Sequence, residues 1–365
     1  MPMNKISKIG ILTGGGDCPG LNAVIRAVVR CGIHQYGWEA VGFKDGYRGL
    51  VLNDYLPLDF DSVAGLLDKG GTILGTSNRD NPFAFPVATP EGEELRDMSA
   101  QVHANLQEDG IDALVIIGGD GTMTAAELFS QQGIPVIGVP KTIDNDLIGT
   151  DYTFGFQTAV ETATEAIDKI HSTAESHHRL MVVEVMGRYA GWIALHAGMS
   201  SGADIILIPE LAYDLDAIAA TIRRRAAAGK HFSIIVVSEG IRHPQGHLVS
   251  QRTVKNSPDP IRLGGIGPVI AAELETRSGI EARSVVLGHL QRGGRPNPFD
   301  RILATRFGAA AVEALAAGQK GQMVALQGTH IDTIPLSMVA SKQKLVPADH
   351  ELLRIGREMG ICFGS

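Results

Sequence analysis

IDALVIIGGDGTMTAAELFSQQGIPVIGVPKTIDND, residues 111–146, is the stretch from which the rest of the chain can be read. Its apolar run Ala113 to Ile117 is short, rich in branched residues and stopped by glycines. That pattern reads as a strand buried on both faces of a parallel sheet. The run breaks at Gly118-Gly119-Asp120-Gly121-Thr122, and a helical pattern follows from Met123. Glycines between a strand and a helix let backbone N–H groups close on a phosphate, and the helix dipole favours negative charge there. Asp120 would repel a bare phosphate, but suits an oxygen ligand for the Mg²⁺ that phosphates carry. A second strand, Pro135 to Val139, runs into Pro140-Lys141-Thr142-Ile143-Asp144-Asn145-Asp146. Two neighbouring strand ends thus bring a phosphate cradle and a carboxylate-rich loop to one sheet edge, where open α/β folds hold their ligands.

Either motif alone also fits an ordinary turn, since glycines and aspartates are common turn residues. Their pairing one strand apart resembles the phosphofructokinase family, whose hallmarks GGDG and TIDND occur in this order. The resemblance implies two Rossmann-like lobes, each a largely parallel sheet flanked by helices, with the active site in the cleft between them. Residues 1–150 with about 291–340 would form the donor lobe for ATP and Mg²⁺. Residues 151–290 with about 341–365 would form the lobe for fructose 6-phosphate.

Composition sets independent bounds. A chain of 365 residues suits two α/β lobes. With 44% hydrophobic and 20% charged residues it reads as a soluble globular protein, without an apolar run long enough to cross a bilayer. The N-terminus MPMNKISKIGILTGGGD runs straight into a strand and has no signal-peptide pattern. Cys18, Cys31 and Cys362 lack metal-ligand spacing and cannot all pair, which points to the reducing cytoplasm. A net charge of -8 argues against nucleic acid as a partner, so an anion site must come from local arginines and backbone amides.

Strand, turn and helix alternate through the remainder. Lys8 to Thr13 leads into Gly14-Gly15-Gly16-Asp17 and a helix through Ile25, Val28 and Val29. Gly70 to Arg79 is another glycine-dense loop, and Met98, Val102 and Leu106 mark a core helix face. Phe156, Val160, Ala163, Ile167 and Ile170 form a long amphipathic helix ending near Ser176-His177-His178-Arg179. Leu180 to Met186 is a strand closing in Met186-Gly187-Arg188, the form of a sugar-phosphate clamp. Ala203–Pro209 and Phe232–Val237 are further strands, the second leading into Ser238-Glu239-Gly240. Residues 242–264 read as a loop or hinge. Arg283, His289 and Arg292 bracket the strand in RSVVLGHLQRGG and read as a basic cluster facing the same cleft; Asp300 reads as the N-cap of the next helix.

The family pattern assigns roles to these residues. Asp144 would be the base that takes the proton from the sugar 1-hydroxyl, with Asp146 and Thr142 beside it. Arg188 would stabilise the transferring phosphoryl group. Gly15, Gly119, Asp120, Gly121, Thr122 and Lys141 would hold the donor, together with Asn78 or Arg79, and Asp120 would be the metal ligand. Met186, Gly187, Glu239, His289 and Arg292 would grip fructose 6-phosphate. Arg179 and Arg283 would come from a neighbouring subunit, implying a homo-oligomer, dimer or tetramer. Gly121 leaves room for ATP, whereas Lys141 is what pyrophosphate users carry, and ATP is the expected donor. Arg26 and Arg30 fit the family's effector pocket, but Asp61, His171 and Ala228 stand where cations belong, so a weak or altered effector response is expected.

Other readings are poorer fits. NAD kinases and lipid kinases present GGDGT, but not TIDND, MGR and GHLQRGG in this order. An NAD-dependent oxidoreductase needs GxGxxG spacing, which Gly14-Gly15-Gly16-Asp17 lacks. A silent sugar-phosphate sensor is opposed by the intact Asp120, Asp144 and Arg188.

Overall fold

A computed structural model describes residues 6–90, 92–246, 248–253 and 261–365. In chain order the strands are β1 Lys8–Thr13, β2 Glu39–Phe43, β3 Tyr55–Leu58, β4 Phe85–Thr89, β5 Gly92–Arg96, β6 Ala113–Gly118, β7 Val136–Pro140 and β8 Leu180–Val185. They continue with β9 Ile205–Leu207, β10 Ser233–Ser238, β11 Ser250–Thr253, β12 Ile261–Leu263, β13 Ala282–Val286, β14 Gln322–Gln327 and β15 His330–Pro335. The helices are α1 Leu21–Cys31, α2 Tyr47–Leu52, α3 Ser99–Glu108, α4 Asp120–Gln131, α5 Phe156–His177 and α6 Trp192–Ser200. After them come α7 Leu215–Ala227, α8 Ile266–Ser278, α9 Pro298–Ala316, α10 Leu336–Val339 and α11 Glu351–Glu358.

Seven strands make the first sheet, in the order β15-β14-β7-β6-β1-β2-β3. Its interior pairs are parallel, and β3 and β15 close the two edges antiparallel. The second sheet, β13-β8-β10-β9, is parallel throughout. β6, β8 and β10 are buried at every position, which is why their sequences are continuous Val/Ile/Leu runs rather than alternations.

The 22-residue α5 carries the chain from the first sheet to the second. Its buried face, Phe156, Ala159, Val160, Ala163 and Ile167, belongs to one apolar cluster with Ile9 and Ile11 of β1 and Val183 and Val185 of β8. Burying each of the larger side chains, Phe156, Val160 and Ile167, contributes about 1.5–3 kcal/mol. The two sheets therefore share one core. Gly308 lets α9 press on α1, because a Cβ there would lie 2.7 Å from Ala27 Cβ.

Several local expectations change. Residues 242–264 are not a simple loop: β11 and β12 pair antiparallel, while 247 and 254–260 lie outside the described residues. α4 begins at Asp120, not Met123, so the metal-ligand candidate sits in its first turn. Asn297, not Asp300, caps α9, accepting from Asp300 N–H at 2.9 Å. Asp300 instead reaches across to α5, where Oδ2 accepts from Thr158 N–H at 2.7 Å and its hydroxyl at 2.6 Å. It is an N-terminal cap supplied by a different helix. The three cysteines are free, with Cys18 and Cys362 buried, and no described helix is long and apolar enough to cross a membrane.

Asp300→Ala should strip the Thr158 amide and hydroxyl of their buried acceptor and cost about 1–3 kcal/mol. Chemical denaturation reads this as a lower midpoint with unchanged slope. Asp300→Asn, which keeps an acceptor oxygen, should cost less.

Candidate active site

The donor-side cradle is built from three strand ends. Gly14 N–H donates to Ile117 O at 2.8 Å, joining the β1 turn to β6, and Gly15 N–H donates to Ser77 O at 3.0 Å. Thr76 Oγ1 donates to Gly15 O at 2.6 Å. The loop 70–79 is thereby stitched to the β1 turn. Gly119 caps α4 with extended backbone, and its carbonyl accepts from Met123 N–H at 2.9 Å. Thr122 turns inward: added Cβ atoms at Gly14 and Gly118 would lie 2.7 and 2.3 Å from its side chain. Gly121 faces open space, with nothing within 4 Å of where a Cβ would sit. Asn78 and Arg79 are exposed. Arg79 also lines a cavity of about 580 Å³ with Arg48, Phe85 and Met98.

Asp120 is half-buried, and Oδ1 accepts from Ser341 N–H at 3.0 Å. Burial raises its carboxyl above the usual range, opposed by the Ser341 hydrogen bond and by Arg188. Lys141, directly after β7, is buried, and its ammonium donates to the carbonyl of Gly16. A Cβ on Gly15 would lie 3.3 Å from Lys141 Nζ, so the ammonium lies beside the glycine turn of β1. Burial pulls Lys141 down to about 8.

The loop that follows presents the carboxylates. Asp144 is only 3% exposed; its N–H donates to Thr142 Oγ1 at 3.0 Å, and its Oδ1 has no hydrogen-bond partner among the described residues. Asn145 takes a left-handed φ of 50° and accepts from Thr153 N–H at 3.1 Å, which turns the backbone between the two aspartates. Asp146 is buried beside Asp144, and its carboxyl is raised by burial first and by Asp144 second. Two buried like charges resist joint ionisation unless cations approach them.

The second sheet brings such cations to the same place. Arg188, after β8, interacts electrostatically with both Asp120 and Asp146. Its φ is 52°, an unusual left-handed conformation for an arginine, and its N–H donates to Glu239 Oε1 at 3.3 Å. Gly240 makes this possible, because a Cβ there would lie 1.5 Å from Arg188 O. Glu239, after β10, is raised to about 7 by burial and then by Asp144. Met186 is buried, and its N–H donates to Gln291 Oε1 at 3.3 Å. Arg292 Nη1 donates to Asp17 O at 3.1 Å, so the second sheet's exit turn touches the first sheet's glycine loop. His289 is exposed on that turn.

Arg179 and Arg283 lie elsewhere. Arg179 precedes β8 and Arg283 is the second residue of β13, so both sit at the amino-terminal ends of strands whose carboxyl ends face the cluster. A six-residue strand separates these ends by roughly 20 Å. Both arginines pair with Glu281, Arg179 Nε at 2.8 Å. The expectation that Arg283 shares one cleft with His289 and Arg292 therefore fails within a single chain.

Gln291 is fully buried, and nothing local in the sequence marks it. Its Nε2 donates to Gly288 O at 3.1 Å while its Oε1 holds Met186, tying two motifs together. A glutamine between two basic residues carries no periodic signal. Gly240 was visible only as part of a motif, and its role follows from a steric contact 52 residues away in sequence.

Among the described residues, no three His, Cys, Asp or Glu side chains group to hold a metal. Asp120 is the acidic residue in the first turn of α4 at this cradle.

Residues 8–315 match the family model described as Phosphofructokinase. A protein of Clostridium perfringens named ATP-dependent 6-phosphofructokinase 2 is 53% identical over 365 residues, covering 100% of each chain. A protein of Streptomyces coelicolor named pyrophosphate–fructose 6-phosphate 1-phosphotransferase is 49% identical over 359 residues, covering 98% of this chain and 100% of its own. The crystal structure of Pichia pastoris phosphofructokinase in the T-state superposes with a TM-score of 0.79 at 33% identity. That match takes in 92% of this chain and 35% of the longer yeast chain. The chain belongs to the phosphofructokinase family and is a phosphotransferase enzyme.

Proposed function

We propose that the enzyme transfers a phosphoryl group from ATP to the 1-hydroxyl of fructose 6-phosphate, giving fructose 1,6-bisphosphate. The observation that carries the reading is Asp144: a buried carboxylate with one oxygen unpartnered among the described residues, in electrostatic reach of Lys141 on the donor side and beside Asp146, which Arg188 from the second sheet attracts. An acceptor with an unused lone pair in a water-poor site is what a general base for a hydroxyl requires. Asp146 and Thr142 fix the loop around it, and Arg188 offsets charge on the phosphoryl group in flight. Gly15, Gly119, Gly121, Thr122 and Lys141 cradle the donor phosphates, with Asn78 or Arg79 at the rim. Asp120 would hold Mg²⁺, which supplies charge neutralisation at those phosphates when bound.

The acceptor is gripped by Met186, Gly187, Glu239, His289 and Arg292. Arg179 and Arg283 point to a second subunit: placed a strand's length from their own chain's site, they would complete a neighbour's, so the working enzyme is a homo-oligomer. The open space at Gly121 favours ATP, because the bulk beyond the distal phosphates needs room there. Lys141 favours pyrophosphate as the second reading. Relatives named for each donor stand at 53% and 49% identity, too close to decide between them.

Phosphorylation of fructose 6-phosphate should be assayed with Mg²⁺ and either ATP or pyrophosphate, with Asp144→Ala as the blank. ATP should support turnover, and Asp144→Ala should lower kcat by about 10²–10⁴. Turnover with pyrophosphate alone would overturn the donor. Gly121→Asp should raise KM for ATP more than tenfold through steric and charge exclusion, while any pyrophosphate activity survives.

The pH profile of kcat/KM for the donor should fall on the alkaline side near pH 8. Lys141 is charged below that value and loses its proton above it, weakening its hold on phosphate. Lys141→Met should abolish that limb. On the acid side the rate should fall as Asp146, raised to about 6 by burial and by the neighbouring Asp144, takes up a proton.

A further inference from the structure

The segment linking α10 to α11 belongs to no family motif noted above, yet it runs along the active site making one contact after another. Ser341 N–H donates to Asp120 Oδ1 at 3.0 Å and to Thr124 Oγ1 at 3.2 Å. Gln343 forms an antiparallel bridge with Leu147. Lys344 N–H donates to Asp146 O at 2.7 Å. Val346 N–H donates to Glu210 Oε1 at 2.9 Å, and the same oxygen accepts from Gly191 N–H at the start of α6, three residues after Arg188. One strap thus touches the donor-side carboxylate, the catalytic loop and the exit of the Arg188 turn.

Lys344 lies at its centre. Its ammonium donates to Thr150 O and Asp151 O, both at 2.9 Å, and sits 5.4 Å from the centre of the Trp192 ring. Its carbonyl accepts from Trp192 Nε1 at 2.8 Å. It is half-buried, and burial pulls it down to about 8, opposed by its attraction to Asp151 and Asp146. Such a contact set holds both ends of the 146–151 turn, with one end fixed through the backbone and the other through the ammonium.

We propose that Lys344 is a positioning residue for phosphoryl transfer, fixing the loop that carries Asp144 and Asp146 against the second sheet through Trp192. This rests on the reading of Asp144 as the base. A staple serving stability alone would tie core elements. This one converges on the loop whose placement sets the distance between the base and the acceptor hydroxyl. The ammonium matters beyond its volume, because it donates to two carbonyls at once and lends positive charge to a turn rich in carboxylates.

The test uses the full-length enzyme with whichever donor wild type turns over. Lys344→Met should lower kcat about 10–100-fold, as a sub-ångström to ångström misplacement of a reacting group does, with KM for both substrates within about threefold. Lys344→Arg, which keeps a cation and donors, should recover most of that loss. Trp192→Phe keeps the ring but loses the indole N–H, and should lower kcat about 2–5-fold. Melting temperatures are followed in parallel. Wild-type kcat in Lys344→Met, or a fall in melting temperature alone, would overturn the proposal. If Lys344→Met does not fold, an unchanged kcat in Trp192→Phe overturns it equally. A wild type inert with both donors would remove the functional reading and this role together, whereas an active wild type with an unaffected Lys344→Met removes only the role of Lys344.

Discussion

Three carboxylates, Asp144, Asp146 and Glu239, are buried at the carboxyl ends of strands from two different sheets. Taking one such charge out of water costs several kcal/mol unless a cation or hydrogen bonds compensate, and three together repel. The fold answers with Lys141 from the first sheet and Arg188 and Arg292 from the second. None of these cations comes from the carboxylates' own turn except Lys141. The cluster is therefore tolerable only when both sheets are in place, which makes it a constraint on how they meet. The shared apolar core along α5 fixes that meeting, and Asp300 pins the start of α5 to α9.

The second sheet meets the requirement through backbone geometry more than through side-chain reach. Arg188 sits in a left-handed conformation that costs a non-glycine residue roughly 1–3 kcal/mol, sustained by its surroundings. Glu239 accepts its N–H and Gly240 yields the space its carbonyl occupies. Gln291 holds the preceding Met186. Strain at one arginine is thus distributed over three motifs that are far apart in sequence, and none of the three can change independently.

Legibility in the sequence followed this division. The strand–glycine–helix units at Gly14 and Gly118 and the carboxylate loop at Asp144 were readable because the chemistry and its backbone occur together within a few residues. The buried strands β6, β8 and β10 declared themselves as apolar runs. What stayed hidden depends on distant contact. The edge strand β15, the β11–β12 hairpin, the space at Gly240 and the bond from Gln291 to Met186 have no local period. Asp300 caps a helix, as its sequence position suggests, but a different one: Asn297 occupies the local position, and only the packing of α9 on α5 shows where the aspartate points. Arg283 shows the same limit, since a residue next to a motif can lie at the opposite end of its strand.

Burial of an unpartnered carboxylate oxygen does not by itself mark a catalytic group. Among the described residues Asp144, Glu210 and Asp300 each have one, so the difference between Asp144 and Asp300 must lie in what surrounds the other atoms. Asp300 spends its second oxygen on two donors from Thr158 and lies between helices, where the helix amino terminus compensates its charge. Asp144 lies in a turn at a strand's carboxyl end, next to another acid whose carboxyl it pushes upward, with Lys141 charged nearby. Its environment is polar and divided, with Lys141 from the first sheet and Glu239 from the second in electrostatic reach. A structural carboxylate such as Asp300 satisfies its surroundings from within the fold; on the proposal that Asp144 is the base, a substrate would complete those of Asp144.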